Sequence, residues 1–373
     1  MRIAVMAPED LPVPPVRGGS VQIYADALTR ALAAMPGLEV TLLAPRPAAS
    51  GADAPPEHGG EYGRRLVHLP GGAPFLSAAA AYLAAWEPDW IQVENRPAWV
   101  NTLRALAPRA RILLNLHSLT FLGPRHIHPM AARQALCSAD AVVLNSRFLL
   151  RAVTRRFRLR TAAWHPVVIH PGVDLVRFAP PDAHVAKRRT RLRIVYVGRV
   201  VRQKGVHVLL TAVRRLHRLG IPVHATIIGR APPWERAYAA RIRRLLRGLP
   251  ARWIGFVPPA RLPPYLWQHD VLVCPSQGPE AFGLVNVEAM AAGLAVVASR
   301  QGGIREAVGD AGVLVAKFRQ PEAFAAALIR LARRPDQLRR LQQAARARAQ
   351  AFTWTRTAAR FAAIYRAPRA RSP

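Results

Sequence analysis

The feature that most constrains this chain is a rhythm. Short apolar runs of strand length alternate with longer amphipathic stretches, and the pattern is laid down twice along 373 residues. In the first half, runs at 2–7, 39–44, 65–69, 90–94, 111–117, 141–145 and 167–170 read as strands, with helical periodicity at 21–35 and 130–137 between them. Such alternation makes parallel βαβ units, because neighbouring parallel strands need a crossover, usually a helix. Proline and charge break the rhythm over 179–191, and a second series of strand runs follows at 193–197, 224–228, 253–256, 271–274, 295–298 and 313–315. The expectation is an α/β protein with two Rossmann-like, doubly wound domains facing each other across a cleft. The domains are read as 1–178 and 192–350, joined by a linker over 179–191. A helical tail over 351–373 is expected to return to the first domain. This length lets each domain close its own core.

Composition narrows the partners. The apolar share of 51% and charged share of 20% are those of a folded globular chain. The longest apolar stretch, 74–86, is shorter than the roughly 18 residues that span a bilayer. The first apolar run soon meets Pro8, Glu9 and Asp10, so it reads as the opening strand of a cytoplasmic protein and not as a secretory leader. Cys137 and Cys274 lie in apolar segments without metal-like spacing, and both are expected in the core. The histidines, His126 and His128 included, have no convergent cysteine or carboxylate pattern, and no metal site is expected.

The formal charge of +33 has two sources. Only Lys187, Lys204 and Lys317 among the 54 basic residues are lysine, an arginine bias that matches GC-rich coding, whereas the shortage of acids, 21 in all, does not follow from it. Basic clusters at 151–160, 187–193 and 241–247 are scattered and lack the interleaved aromatics of a single-strand binder, so a specific nucleic-acid partner is not expected. Peripheral contact with an anionic membrane, at its inner face, is a partner this charge admits.

In doubly wound sheets ligands bind outside the carboxyl ends of the strands, which selects the loops to inspect. The stretch PSQGPEAFGLVNVEAMAAG, 275–293, is a strand end, a turn and a helix start, where unpaired backbone N–H groups favour an anion such as a diphosphate. Glu280 precedes that helix and Glu288 lies within it, separated by about 12 Å if helical rise applies throughout. Two acceptors so placed can grip hydroxyls at both ends of a nucleotide sugar; taken alone, they also fit an ordinary amphipathic helix. In YVGRVVRQKG, 196–205, Arg199 and Lys204 follow a strand end and can neutralise a leaving diphosphate. A lysine amid so much arginine suggests a compact ammonium is wanted there. Arg17, Gly18, Gly19 and Ser20 open the helix carrying Tyr24 and Leu28. Paired glycines allow close approach to phosphate, although the full dinucleotide pattern is missing, and a serine-capped loop is the competing reading. His117 ends a strand of the first domain and reads either as a partner of the transferring sugar or an acceptor, or as a satisfied structural histidine; Arg17, Asn95 and Arg96 are placed on the acceptor side, with turn formation as the competing reading of the Asn95 segment. Asn115 and Asn145 lie near further strand ends, where turn formation competes with a polar task.

Taken together, EAFGLVNVEAMAAG, VGRVVRQKG, the RGGS loop and HPGVDLVRFAP resemble glycosyltransferase family 4, of the GT-B fold, and the resemblance spans nearly the whole chain. ENRPAWV, LHSLTFLGP and GFVPP are similar to members of the spore-coat protein SA type. The resemblance implies a retaining, metal-independent hexosyltransferase without a cofactor, whose donor is a nucleotide-diphosphate sugar. It implies a glycan, lipid-linked or protein-associated acceptor, as in cell-surface or spore-coat polysaccharide synthesis. Arg199 and Lys204 would bind the diphosphate, Glu280 the transferred sugar and Glu288 the ribose. Phe282, Gly283 and Leu284 would contribute backbone contacts, with His117 acting beside the transferred sugar. The leaving phosphate would take the acceptor proton on the face from which it departs. The chain departs from the pattern at Arg230, Ala295 and Arg305, which bears on donor choice more than on reaction class. A nucleotide-sugar epimerase of the same fold, or a non-catalytic coat protein, are the rival readings.

Overall fold

The computed structural model describes every residue except 16–17, 48–56, 59–62, 161–162, 182–189 and 369–373. It divides into two compact units, residues 1–172 with 354–373, and residues 173–353.

The first unit is built on strands β1 (Arg2–Met6), β2 (Glu39–Pro45), β3 (Glu57–His58), β4 (Arg65–Leu69), β5 (Trp90–Glu94), β6 (Arg111–Leu116), β7 (Ala141–Leu144) and β8 (Pro166–Val168). They form one sheet in the order β3-β4-β2-β1-β5-β6-β7-β8, parallel except for β3. The short β3 was not expected from the apolar pattern. The strands between the edges read as near-continuous apolar runs because helices cover both faces of such a sheet. The core of one face joins Ile3, Val5, Leu28, Leu42, Trp90 and Leu113 to Phe361 and Tyr365 of the helix Trp354–Arg366. Trp90 Nε1 donates to the Tyr365 carbonyl at 3.1 Å. The end of the described chain is thus core material of the unit that began it.

The second unit carries β9 (Leu192–Val197), β10 (Val223–Ile228), β11 (Ala251–Gly255), β12 (Val271–Cys274), β13 (Ala295–Ser299) and β14 (Val313–Val315). Their order, β11-β10-β9-β12-β13-β14 and all parallel, is the 3-2-1-4-5-6 arrangement of dinucleotide-binding sheets. Amphipathic helices close both faces. Val206–Arg218, for example, buries Val206, Leu209, Leu210, Val213 and Leu216 while Arg215 and Arg218 stay exposed.

Two details differ from the sequence reading. The division falls at Gly172 and Val173, earlier than 178, because Val173 and Phe178 are buried in the core of the second unit. Most of the 179–191 stretch lies outside the described residues. Cys137 is exposed, whereas Cys274 is buried. The helix Pro129–Ser138 buries Ala132, Ala135 and Leu136, and Cys137 falls off that face.

Candidate active site

In the second unit the strand order reverses between β9 and β12, which are hydrogen-bonded neighbours. Connections leave this point in opposite directions and open a crevice at the carboxyl ends. Two loops border it, 198–205 after β9 and 275–283 after β12. They are in direct contact: Gln277 N–H donates to the Gln203 carbonyl at 2.7 Å. Gly205 has φ 73°, and a Cβ there would lie 1.9 Å from the Pro275 carbonyl oxygen, so only glycine permits the approach. That approach brings Lys204 Nζ to 2.5 Å from Glu280 Oε1, which also accepts from Ser276 Oγ at 2.8 Å. From the other side the Gly303 N–H donates to the Glu280 carbonyl at 2.8 Å. Arg199 is exposed and forms no ion pair among the described residues.

Just beyond Glu280, the helix Leu284–Ala291 begins at Gly283, with φ 86°, no side-chain cap and no acid in its first turn. The Asn286 N–H donates to the Gly283 carbonyl at 3.0 Å, whereas the N–H groups of Leu284 and Val285 have no partner among the described residues and are left for an external acceptor. Phe282 is buried and packs edge-on against Phe352 at 5.5 Å. Within the helix, Glu288 makes no side-chain hydrogen bond among the described residues. Burial pushes its carboxyl up to about 7, opposed by the Arg177 guanidinium.

In the first unit the corresponding reversal lies between β1 and β5. Gly18 and Gly19 have φ of 84° and 103°, and Gly19 occupies the N-cap position of the helix Ser20–Ala33, with Ser20 already inside it. Arg17 lies outside the described residues. His117, after β6, points Nε2 at Glu94 Oε2, 2.5 Å away, and its ring meets that of Tyr24 edge-on at 4.4 Å. Asn95 and Arg96, expected to face an acceptor, are engaged within the protein. Asn95, at φ 56°, accepts through Oδ1 from the His117 and Ser118 N–H groups at 3.0 and 3.3 Å. Arg96 is buried, paired to Glu9 at 2.6 Å and to Asp10, and its guanidinium lies 3.8 Å from the Phe121 ring centroid. Its charge is spent on these partners. Among the described residues no group of three or more His, Cys, Asp or Glu side chains is placed to share a metal ion. No helix among them is long and apolar enough to cross a membrane.

Residues 18–177 match the model of Glycosyltransferase Family 4, and residues 182–348 that of Glycosyl transferases group 1. The chain is 29% identical to spore coat protein SA of Bacillus subtilis (strain 168), over 98% of this chain and 99% of that one. The structure is similar to sucrose-phosphate synthase from Thermosynechococcus elongatus, with a TM-score of 0.81, 25% identity and 98% coverage of both chains. This chain is a GT-B glycosyltransferase related to glycosyltransferase family 4. A further likeness is to HepE of Anabaena, solved with UDP-glucose, at a TM-score of 0.73, 20% identity and coverage of 97% of this chain and 98% of that one.

Sequence reasoning missed what surrounds His117 in this glycosyltransferase. Glu94 is fully buried, accepts from Asn115 Nδ2 at 3.1 Å and from Gln92 Nε2, and faces His117 Nε2 at 2.5 Å. Gln92 in turn accepts from the Tyr365 hydroxyl. The signal was present in WIQVE, where two polar residues two positions apart share one face of a strand buried on both sides.

Proposed function

We propose that this glycosyltransferase transfers a sugar from a nucleotide-diphosphate donor to a hydroxyl of a glycan, lipid-linked or protein-associated acceptor, with retention of anomeric configuration. The observation that carries the reading is the Lys204–Glu280 pair at the strand reversal of the second unit, beside the uncapped helix start at Gly283. In this reading the backbone N–H groups from Phe282 to Leu284, with Arg199 and Lys204, hold the diphosphate. Charge develops on that group as the glycosidic bond breaks, and preorganised cations are worth most where charge develops. Two such cations serve without a metal. Glu280 turns from Lys204 to a hydroxyl of the transferred sugar, and Glu288 accepts from the ribose. The departing phosphate oxygen takes the proton of the attacking hydroxyl on the same face, so neither glutamate is a nucleophile. The first unit supplies the acceptor side, with His117 beside a reacting hydroxyl and the backbone at Gly18 and Gly19 open to phosphate. HepE, with UDP-glucose in its structure, supports a nucleotide sugar as donor. The shortage of acids, which leaves the chain strongly basic, supports peripheral contact of this proposed cytoplasmic enzyme with an anionic membrane.

A panel of nucleotide sugars tests this directly. Slow donor hydrolysis, accelerated into transfer by a hydroxyl acceptor with the anomer retained, is expected for one of them. No turnover of any donor, or release of an isomerised nucleotide sugar without acceptor, refutes the reading.

A further inference from the structure

Among the described residues, Glu94 is the one carboxylate in the buried polar network of the first unit, and both amides within hydrogen-bonding distance of it donate to it. Oε1 receives Gln92 Nε2 and, at 3.3 Å, Asn115 Nδ2; Oε2 receives Asn115 Nδ2 at 3.1 Å and faces His117 Nε2 at 2.5 Å. The Gln92 amide also meets the Tyr365 hydroxyl, which donates to its Oε1. Turning that amide would put a carbonyl against the Glu94 carboxylate. A carboxylate oxygen that already takes an amide donor offers the facing His117 nitrogen an acceptor, and that nitrogen meets it best by carrying a hydrogen. The other ring nitrogen, Nδ1, makes no hydrogen bond with a described residue.

We propose that Glu94 is a positioning residue that fixes His117 as its Nε2–H tautomer and so presents Nδ1 as a hydrogen-bond acceptor for a hydroxyl of the reacting sugars. This rests on the proposed function for the identity of that hydroxyl, whereas the tautomer follows from the protein alone. The surroundings hold the ring as well. Tyr24 packs edge-on against it, Asn95 takes the His117 N–H, and Asn145 Nδ2 donates to the His117 carbonyl at 3.3 Å. With ring plane, backbone and tautomer all set, the lone pair of Nδ1 has one direction. A histidine fixed in this way by a buried carboxylate can act on a hydroxyl without reorganising.

The test reads the ring and the reaction separately. Nitrogen NMR of histidine-labelled full-length protein, with His117 assigned by its loss in His117→Asn, is recorded at pH about 8.5, two units above the ordinary imidazole value. The expected wild-type spectrum has Nε2 protonated and Nδ1 bare. An Nδ1–H ring, or a ring protonated on both nitrogens, overturns the proposal without any variant. Glu94→Gln replaces two acceptors by one acceptor and one donor, and the Nε2–H preference should be lost. In the same variant kcat should fall by about two orders of magnitude, the scale for losing one preorganised hydrogen-bonding group at a reacting centre. KM for the nucleotide sugar should move less than about threefold, because the loss lies in the reacting geometry and not in donor binding. An unchanged tautomer, an unchanged kcat, or a loss carried wholly by KM each refutes the role. Absence of transfer in the wild type refutes the proposed function instead, and the wild-type spectrum still decides the tautomer.

Discussion

Lys204 and Glu280, 76 positions apart in sequence, share a hydrogen bond of 2.5 Å at the strand reversal of the second unit. Without a donor, each holds the other's charge, and a diphosphate competes with Glu280 for the ammonium. Lys204→Ala should lower kcat by about 10²- to 10³-fold, the scale for removing one preorganised donor from developing negative charge. Lys204→Arg should restore only part of it, because a planar fork does not reproduce a compact ammonium in that turn. Steady-state transfer rates, with circular dichroism to check the fold, measure both.

The Glu288 carboxyl, raised by burial to about 7, gives donor binding a pH dependence. If Glu288 holds the ribose as proposed, its ionised form accepts from the ribose hydroxyls and its protonated form does so less well. Affinity should therefore hold above pH 7 and weaken below it by up to about tenfold per unit. UDP-glucose suits the calorimetric measurement, since its diphosphate does not titrate in this range. Glu288→Gln should bind more weakly at high pH and lose the slope. A slope that persists in that variant assigns the effect elsewhere.

Gly205→Ala should couple stability to donor affinity. Its φ of 73° and the 1.9 Å approach to the Pro275 carbonyl leave no room for a methyl group. The left-handed backbone alone costs about 1–2 kcal/mol in a residue with a Cβ. Relief of the clash must part the 198–205 and 275–283 loops, which carry Lys204 and Glu280. A lowered melting temperature together with weaker UDP-glucose binding is the expected result.

Phe361 is fully buried in the core of the first unit, on the helix Trp354–Arg366. Phe361→Ala should destabilise that unit by about 3–5 kcal/mol. Arg360→Ala, one position away on the exposed face, should fall within about 0.5 kcal/mol of wild type. Denaturant titration of the two variants distinguishes a core helix from a surface appendage.

The sheet strands were legible because a strand buried on both faces must be apolar along its length, as RILLNL and AVVL are. The two loops that meet at the strand reversal of the second unit were legible as strand-end turns because glycine, lysine and glutamate stand out there. The network around His117 was not. Its members come from β5, β6 and the helix carrying Tyr365, and nothing local to Glu94 says that Gln92, Asn115 and His117 will converge on it. Arg96 misled for a related reason. An arginine at a strand end reads as open to a ligand until folding brings Glu9 and Asp10 against it. Cys137 misled through composition, since an alanine-rich helix looks apolar all round while burying one face.

The helix Trp354–Arg366 belongs to the unit that the chain left at Gly172, and this sets an order of events during synthesis. The second unit is a continuous stretch and can close its core as soon as residue 353 has emerged from the ribosome. The first unit, although made earlier, must wait for Phe361 and Tyr365. Domains made in sequence ordinarily fold in sequence; here the half translated first is completed last. Until then its sheet lacks part of its cover, and Gln92 and Glu94 lack the tyrosine that completes their network.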